Sequence, residues 1–103
     1  MDLRYKNEFI DKISTNDRVS IVEFWSYRCE YCRYIAPLLN ELSNNNDIDI
    51  YKFEAEKFPY ITSHFKVNSL PTVVVCKNGT VVDRLEGFDS ADNFIDKIEK
   101  LIG

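Results

Sequence analysis

The chain has 103 residues, 45% of them hydrophobic, and a formal net charge of −4. This length and composition predict one globular domain over residues 1–103 with a single core. Basic residues form no cluster, which excludes a nucleic-acid-binding surface, and no apolar run approaches the ~20 residues that a membrane span needs.

The first part of the chain predicts a helix, a strand and a second helix. Apolar residues recur at helical spacing over 5–13, and a very short edge strand is possible near Leu3. The β-branched and aromatic run 19–25 predicts a buried strand that contains one carboxylate. Residues 31–42 predict an amphipathic helix, which Pro37 should kink because it lacks an N–H group.

The remainder predicts three strands, a short helix and a final helix. Residues 48–54, 71–76 and 81–86 have strand patterns, and 58–65 predicts a short helix or irregular turn. The pair Asn78–Gly79 supplies positive φ angles for a hairpin between the last two strands.

A cap at Asp89 or Ser90 begins the final helix, whose apolar residues share one face. The order αβαβαββα predicts parallel pairing in the middle of the sheet, while the hairpin adds an antiparallel pair. We therefore expect an α/β protein with a mixed central β-sheet flanked by helices on both faces.

Two cysteines, Cys29 and Cys32, lie where the first predicted strand gives way to the second helix. A helix N-terminus presents unpaired N–H groups and a positive dipole end, which stabilise a thiolate. Cysteine pairs with this spacing have lowered pKa values, and both sulfurs can meet on the first helical turn. The position predicts a reversible redox disulfide.

The residues around this pair carry a family resemblance. Residues 23–37 resemble the active-site segment of thioredoxins, and the resemblance continues through 70–72, 77–79 and Gly87. It implies the thioredoxin fold and a thiol–disulfide oxidoreductase that reduces protein disulfides. No bound cofactor or metal is implied, only the redox-active disulfide.

The resemblance also implies catalytic roles for four residues. Cys29 corresponds to the attacking cysteine, and Cys32 to the resolving cysteine. Glu23 occupies the position of a buried acid, usually Asp, and Lys52 that of the lysine near it. Cys32 would lose its proton to Glu23 directly or through water, which fits a buried carboxyl of raised pKa.

Five further residues are expected to bind substrate. Pro71 corresponds to the family's cis-proline, and the backbone of Leu70 would hydrogen-bond an extended substrate. Trp25 and Gly87 correspond to residues beside the redox pair, and Arg28 stands next to Cys29.

This sequence departs from the usual thioredoxin pattern around the sulfurs. Glu30 and Tyr31 replace the usual Gly-Pro, Arg28 replaces a Trp, and Ser69 replaces a common Gly. Arg28 should stabilise the Cys29 thiolate while Glu30 opposes it, so the redox potential stays open. An oxidant or isomerase, a glutaredoxin-like enzyme favoured by Tyr31, and a non-enzymatic binding subunit therefore remain as alternatives.

The other titratable residues suggest no second site. Cys76 is expected to be a buried small hydrophobe, and His64 a surface residue of the short helix. A zinc site built from them and the cysteine pair is disfavoured because a second paired motif is missing.

Partners and compartment follow from the resemblance and from cysteine usage. The expected partners are disulfide-containing protein substrates and a flavoprotein, thioredoxin reductase, as electron donor. The chain begins without a signal-peptide pattern and has an odd number of cysteines, three, which predicts a cytoplasmic location. A monomer is expected, although the sequence leaves dimerisation open.

Overall fold

The computed structural model describes residues 18–103, so the predicted N-terminal helix and edge strand lie outside the described residues. The strands are β1 Val19–Trp25, β2 Ile48–Glu54, β3 Thr72–Lys77 and β4 Thr80–Glu86. The helices are α1 Cys32–Asn45, α2 Pro59–His64 and α3 Ala91–Ile102. Among these residues, no helix is both long enough and apolar enough to span a membrane.

The strands form the predicted mixed sheet, in the order β2-β1-β3-β4. β1 pairs in parallel with β2 and antiparallel with β3, and the β3–β4 pair is antiparallel. The register sets Trp25 beside Glu54, Phe24 beside Thr72, and Thr72 beside Glu86. The ends of β1, β2 and β4 and the start of β3 therefore meet at one edge of the sheet.

Helices cover both faces of the sheet, as the alternation along the strands requires. On one face, Ile21 of β1 packs in a core with Ile35 of α1 and Ile98 of α3. On the other face, Phe24 packs with Ile61 of α2. Fully burying a side chain of this size contributes roughly 1.5–3 kcal/mol, so the two clusters fix the sheet between the helices.

Local signals at the turns have the predicted effects. Asn78 and Gly79 have φ angles of 53° and 79°, as the hairpin requires. The Ser90 hydroxyl accepts a hydrogen bond from the N–H of Asn93 at 3.2 Å, so Ser90 is the residue that caps α3. Pro37 lies inside α1; the kink expected there stays a prediction.

Candidate active site

A short turn after β1 presents the first cysteine. Ser26 is buried, its hydroxyl accepts a hydrogen bond from the N–H of Arg28 at 3.1 Å, and its carbonyl accepts one from the N–H of Cys29 at 3.1 Å. Ser26 was not among the residues predicted for the site, although a serine directly after a strand is a common turn signal.

The two cysteines form a disulfide with their Cα atoms 5.4 Å apart. Cys29 is partly exposed, whereas Cys32 is 6% exposed and is the first residue of α1. The two sulfurs meet where the helix begins, as expected, although Cys29 itself precedes α1. The chain at this point makes a tight turn, because the Arg33 N–H bonds to the Glu30 carbonyl, only three residues back.

Glu23 is a buried carboxyl group in the middle of the sheet. Its residue is 3% exposed, and it lies beside Lys52 of β2 in the sheet register. Burial raises the pKa of Glu23 to about 7, because the charged form loses its hydration, and the positive charge of Lys52 acts in the opposite direction. Lys52 itself is exposed.

One groove joins Glu23 to Cys32. It has a volume of about 670 Å³, and Glu23, Lys52 and Cys32 all line it. Trp25 and Phe58 form part of its apolar wall. Because a water molecule occupies about 30 Å³ of liquid, the groove has room for water that reaches both the carboxyl and Cys32.

The segment before β3 carries the predicted proline. The Leu70–Pro71 peptide bond is cis, and the Thr72 hydroxyl donates to the Ser69 carbonyl at 2.6 Å. Within residues 18–103, the backbone N–H and C=O of Leu70 have no hydrogen-bond partner. They are therefore available to an added strand.

Gly87 directly follows β4 at the same edge of the sheet. Its N–H donates to the Pro71 carbonyl at 2.8 Å, and its φ angle is +78°, a conformation that favours glycine. A Cβ at this position would meet no atom of the described residues within 4 Å. The space above Gly87 is thus open.

The predicted site residues therefore come from neighbouring segments. Two lie in β1, two in the turn after it, one at the first position of α1, one in β2, two directly before β3 and one directly after β4. In that order they are Glu23, Trp25, Arg28, Cys29, Cys32, Lys52, Leu70, Pro71 and Gly87.

Accessible aromatic rings next to this edge were not predicted. The rings of Tyr31, Tyr34 and Phe88 lie with each pair of centroids 6.2 Å apart, and those of Tyr34 and Phe88 are stacked at 9°. Trp25 packs edge-on against Tyr27, with centroids 4.8 Å apart. The i, i+3 spacing of the two tyrosines was visible in the sequence, but the contact with Phe88 depends on the fold.

Neither His64 nor Cys76 belongs to this arrangement. His64 is exposed in α2 with its ring against Phe65, and Cys76 is a buried free thiol in the core on the α2 side. In the part of the chain that the structure describes, no group of three His, Cys, Asp or Glu residues could hold a metal ion.

Sequence comparison identifies the family. The family model for thioredoxin matches residues 2–100. A thioredoxin of Staphylococcus saprophyticus is 36% identical over 96 residues, which cover 91% of this chain and 90% of that protein. The chloroplastic thioredoxin Y1 of Arabidopsis thaliana is 33% identical over 95 residues; the match covers 90% of this chain but only 55% of that longer protein.

Solved structures give the same result. Oxidised thioredoxin from Plasmodium falciparum superposes with a TM-score of 0.81 at 32% identity, covering 94% of this chain and 92% of that one. A mutant thioredoxin from Halobacterium salinarum has a TM-score of 0.81 at 26% identity, covering 94% and 85%. This chain, with a closed disulfide at Cys29 and Cys32, therefore belongs to the thioredoxin family and is a thiol–disulfide oxidoreductase that acts as a protein-disulfide reductase.

Proposed function

We propose that Cys29 attacks the substrate disulfide and that Cys32 resolves the resulting mixed disulfide. The observation that carries this order is the difference in exposure, since Cys29 is partly exposed and Cys32 is 6% exposed. An incoming protein disulfide can reach the sulfur of Cys29, whereas the sulfur of Cys32 is reached most readily from Cys29 itself.

The two exchanges balance as follows. The Cys29 thiolate bonds to one substrate sulfur, the substrate S–S bond breaks, and the departing thiolate takes up a proton. The Cys32 thiolate then bonds to Cys29 while the bond from Cys29 to substrate breaks, and the second substrate thiolate takes up a proton. Substrate gains two electrons, and the Cys29–Cys32 pair is oxidised to the disulfide.

Glu23 accepts the proton of Cys32 in the second exchange. Its pKa of about 7 leaves a fraction of ionised carboxylate at neutral pH that can act as a general base. The groove that Glu23 and Cys32 both line allows this transfer through water. Lys52 holds the pKa of Glu23 below the value that burial alone would produce, so it tunes the base.

The substrate segment lies across the edge of the sheet that holds the cysteine pair. The unpaired backbone of Leu70 offers it strand-like hydrogen bonds, and Pro71 and Gly87 form the surface beneath it. Trp25 flanks this surface, and exposed Arg28 stabilises the Cys29 thiolate by its charge.

Turnover requires an electron donor and a reducing compartment. We assign the donor role to a flavin-containing thioredoxin reductase and the location to the cytoplasm. The odd number of cysteines, three, supports a reducing compartment, because it fits poorly with a secreted domain held by structural disulfides.

Insulin reduction in the presence of dithiothreitol tests the reaction, and a redox titration tests its direction. We expect turnover by the natural chain and a reduction potential of about −270 mV. Cys29→Ser should abolish turnover, whereas Cys32→Ser should accumulate mixed disulfides. A Cys32→Ser protein that releases substrate as fast as the natural chain would contradict the assignment of the two roles, and a potential of about −120 mV would assign an oxidant instead.

A further inference from the structure

Three aromatic side chains form a surface beside the redox pair, which we name the aromatic patch: Tyr31, Tyr34 and Phe88. Tyr31 is 54% exposed and Tyr34 is 53% exposed, far more than an ordinary packed aromatic residue. Phe88 is partly exposed. The ring centroids of any two of these three residues lie 6.2 Å apart.

The aromatic patch is packed onto the core through Phe88. Phe88 contacts Phe94 of α3 with ring centroids 6.2 Å apart, and Phe94 is 3% exposed in the core. Tyr31 directly precedes α1 and Tyr34 lies in its first turn, three residues later, so the two side chains lie on one side of the helix start. A ligand on these rings therefore gains contact area while few side chains have to be ordered.

The residues of the aromatic patch adjoin the disulfide and the Pro71 segment along the chain. Tyr31 lies between Cys29 and Cys32 in the sequence, and Phe88 follows Gly87, whose N–H is bonded to the Pro71 carbonyl. A segment whose sulfur is joined to Cys29 must run over the residues next to it. The occupant of the patch is therefore the part of the substrate that flanks its reacting half-cystine.

Charges near the patch have both signs and do not decide which side chain fits. Exposed Arg28 and Arg33 stand near Tyr31 in the sequence. Exposed Glu30 directly precedes Tyr31, and exposed Asp89 follows the last ring of the patch. Aromatic faces attract both apolar groups and cations, but these mixed charges give a Lys or Arg side chain no net advantage. A large apolar or aromatic side chain is favoured because it buries the exposed faces of the three rings.

We propose that the aromatic patch binds a large apolar side chain adjacent to the half-cystine that Cys29 attacks. The protein accordingly selects extended disulfide-bearing segments with such a neighbour over segments with a small polar one. This selection rests on the proposed function, since it applies to the substrate of the same two cysteines.

Matched peptide disulfides test the selection. Each substrate is a disulfide-linked dimer of a short blocked peptide that contains a single Cys. The residue next to that Cys is Phe, Ser or Arg. In one set of peptides this residue precedes the Cys, and in a second set it follows the Cys. Stopped-flow oxidation of the reduced protein is followed through Trp25, the chain's only tryptophan, which lines the groove beside Cys32. For the favoured set we expect the Phe peptide to react ~3- to 10-fold faster than the Ser peptide.

Variants locate the origin of that ratio. Tyr34→Ser should bring the Phe-to-Ser ratio towards one, while Tyr34→Phe, which keeps the ring, should retain it. Tyr60→Ser is the matched control, because Tyr60 is a 44% exposed tyrosine on α2 outside the patch. Using a ratio removes any effect of a variant on the intrinsic reactivity of Cys29.

The possible outcomes distinguish a failure of the proposed selectivity from a failure of the proposed function. Equal rates for the Phe and Ser peptides, preference for the Arg peptide, or a ratio that Tyr34→Ser leaves intact would overturn the selection while leaving the disulfide chemistry standing. A natural chain that reacts with none of the peptides would overturn the proposed function, and the selection with it.

Discussion

Glu23 is the buried acid that we propose as the base for Cys32. It has a pKa of about 7 and shares a groove with Cys32. In single turnovers we expect release of the second substrate thiol to accelerate with pH through an inflection near 7. Glu23→Gln should remove the inflection and slow release at pH 7.5 about tenfold or more, since general bases contribute at least that much.

A second acid in the same groove provides the control for this variant. Glu54 also lines the groove, so Glu54→Gln alters the local charge without removing the acid next to Lys52 in the sheet. It should keep the inflection near 7. An identical pH profile for the natural chain and Glu23→Gln would remove Glu23 from the proton transfer.

Lys52 is expected to act on the reaction only through Glu23. Its charge opposes the rise in the pKa of Glu23, so Lys52→Met should move the inflection of the resolving step to a pH above 7. Lys57→Met is the matched control, because Lys57 lines the same groove and does not contribute to that pKa shift. An inflection that moves equally in both variants would show a general charge effect of the groove.

At the scale of elements, the turn from β1 to α1 depends on one side chain. The buried hydroxyl of Ser26 accepts the N–H of Arg28 at 3.1 Å, so Ser26→Ala leaves that partly buried donor unpaired. We expect the free energy of unfolding in urea to fall by about 1–2 kcal/mol. Ser43→Ala removes an exposed hydrogen bond of α1 and should change it by less than about 0.5 kcal/mol; equal effects of the two variants would contradict a special role for Ser26.

Elements with a strong local pattern were predictable, and irregular ones were not. The bounds of β1 follow from a continuous β-branched and aromatic run, and they agree with the structure at both ends. In β4, by contrast, Val81 lies opposite Cys76 and Asp83 opposite Val75, so Val82 is an extra residue. Such a bulge depends on the pairing of two strands and leaves no trace in the pattern of one.

At the scale of the molecule, residues of the site that lie close together in the sequence were predictable, whereas contacts between distant segments were not. Glu23, Cys29 and Cys32 lie within ten residues of one another, and the strand–helix junction between them was readable from the sequence. The contact of Tyr34 with Phe88 requires the sheet to bring β4 next to the start of α1. Sequence spacing cannot supply that contact, which is why the aromatic patch emerged only from the fold.

The buried acid also sets how the stability of the whole domain varies with pH. Folding raises the pKa of Glu23 from 4.5 to about 7, so between these values the unfolded chain is ionised while the folded chain keeps its proton. The folded state then binds more protons, and the free energy of unfolding falls as the pH rises. Below 4.5 Glu23 contributes nothing, and above 7 it costs the folded state about 3 kcal/mol.

Glu23→Gln isolates this contribution because glutamine is neutral in both states. Urea unfolding of the oxidised proteins between pH 4 and 8 should show the variant gaining stability relative to the natural chain by about 3 kcal/mol across that range. All other titrating groups are common to both proteins, so they cancel in the difference. A difference that stays constant with pH would mean that the Glu23 carboxyl titrates alike in both states, and the base assigned to Cys32 would then be ionised throughout the neutral range.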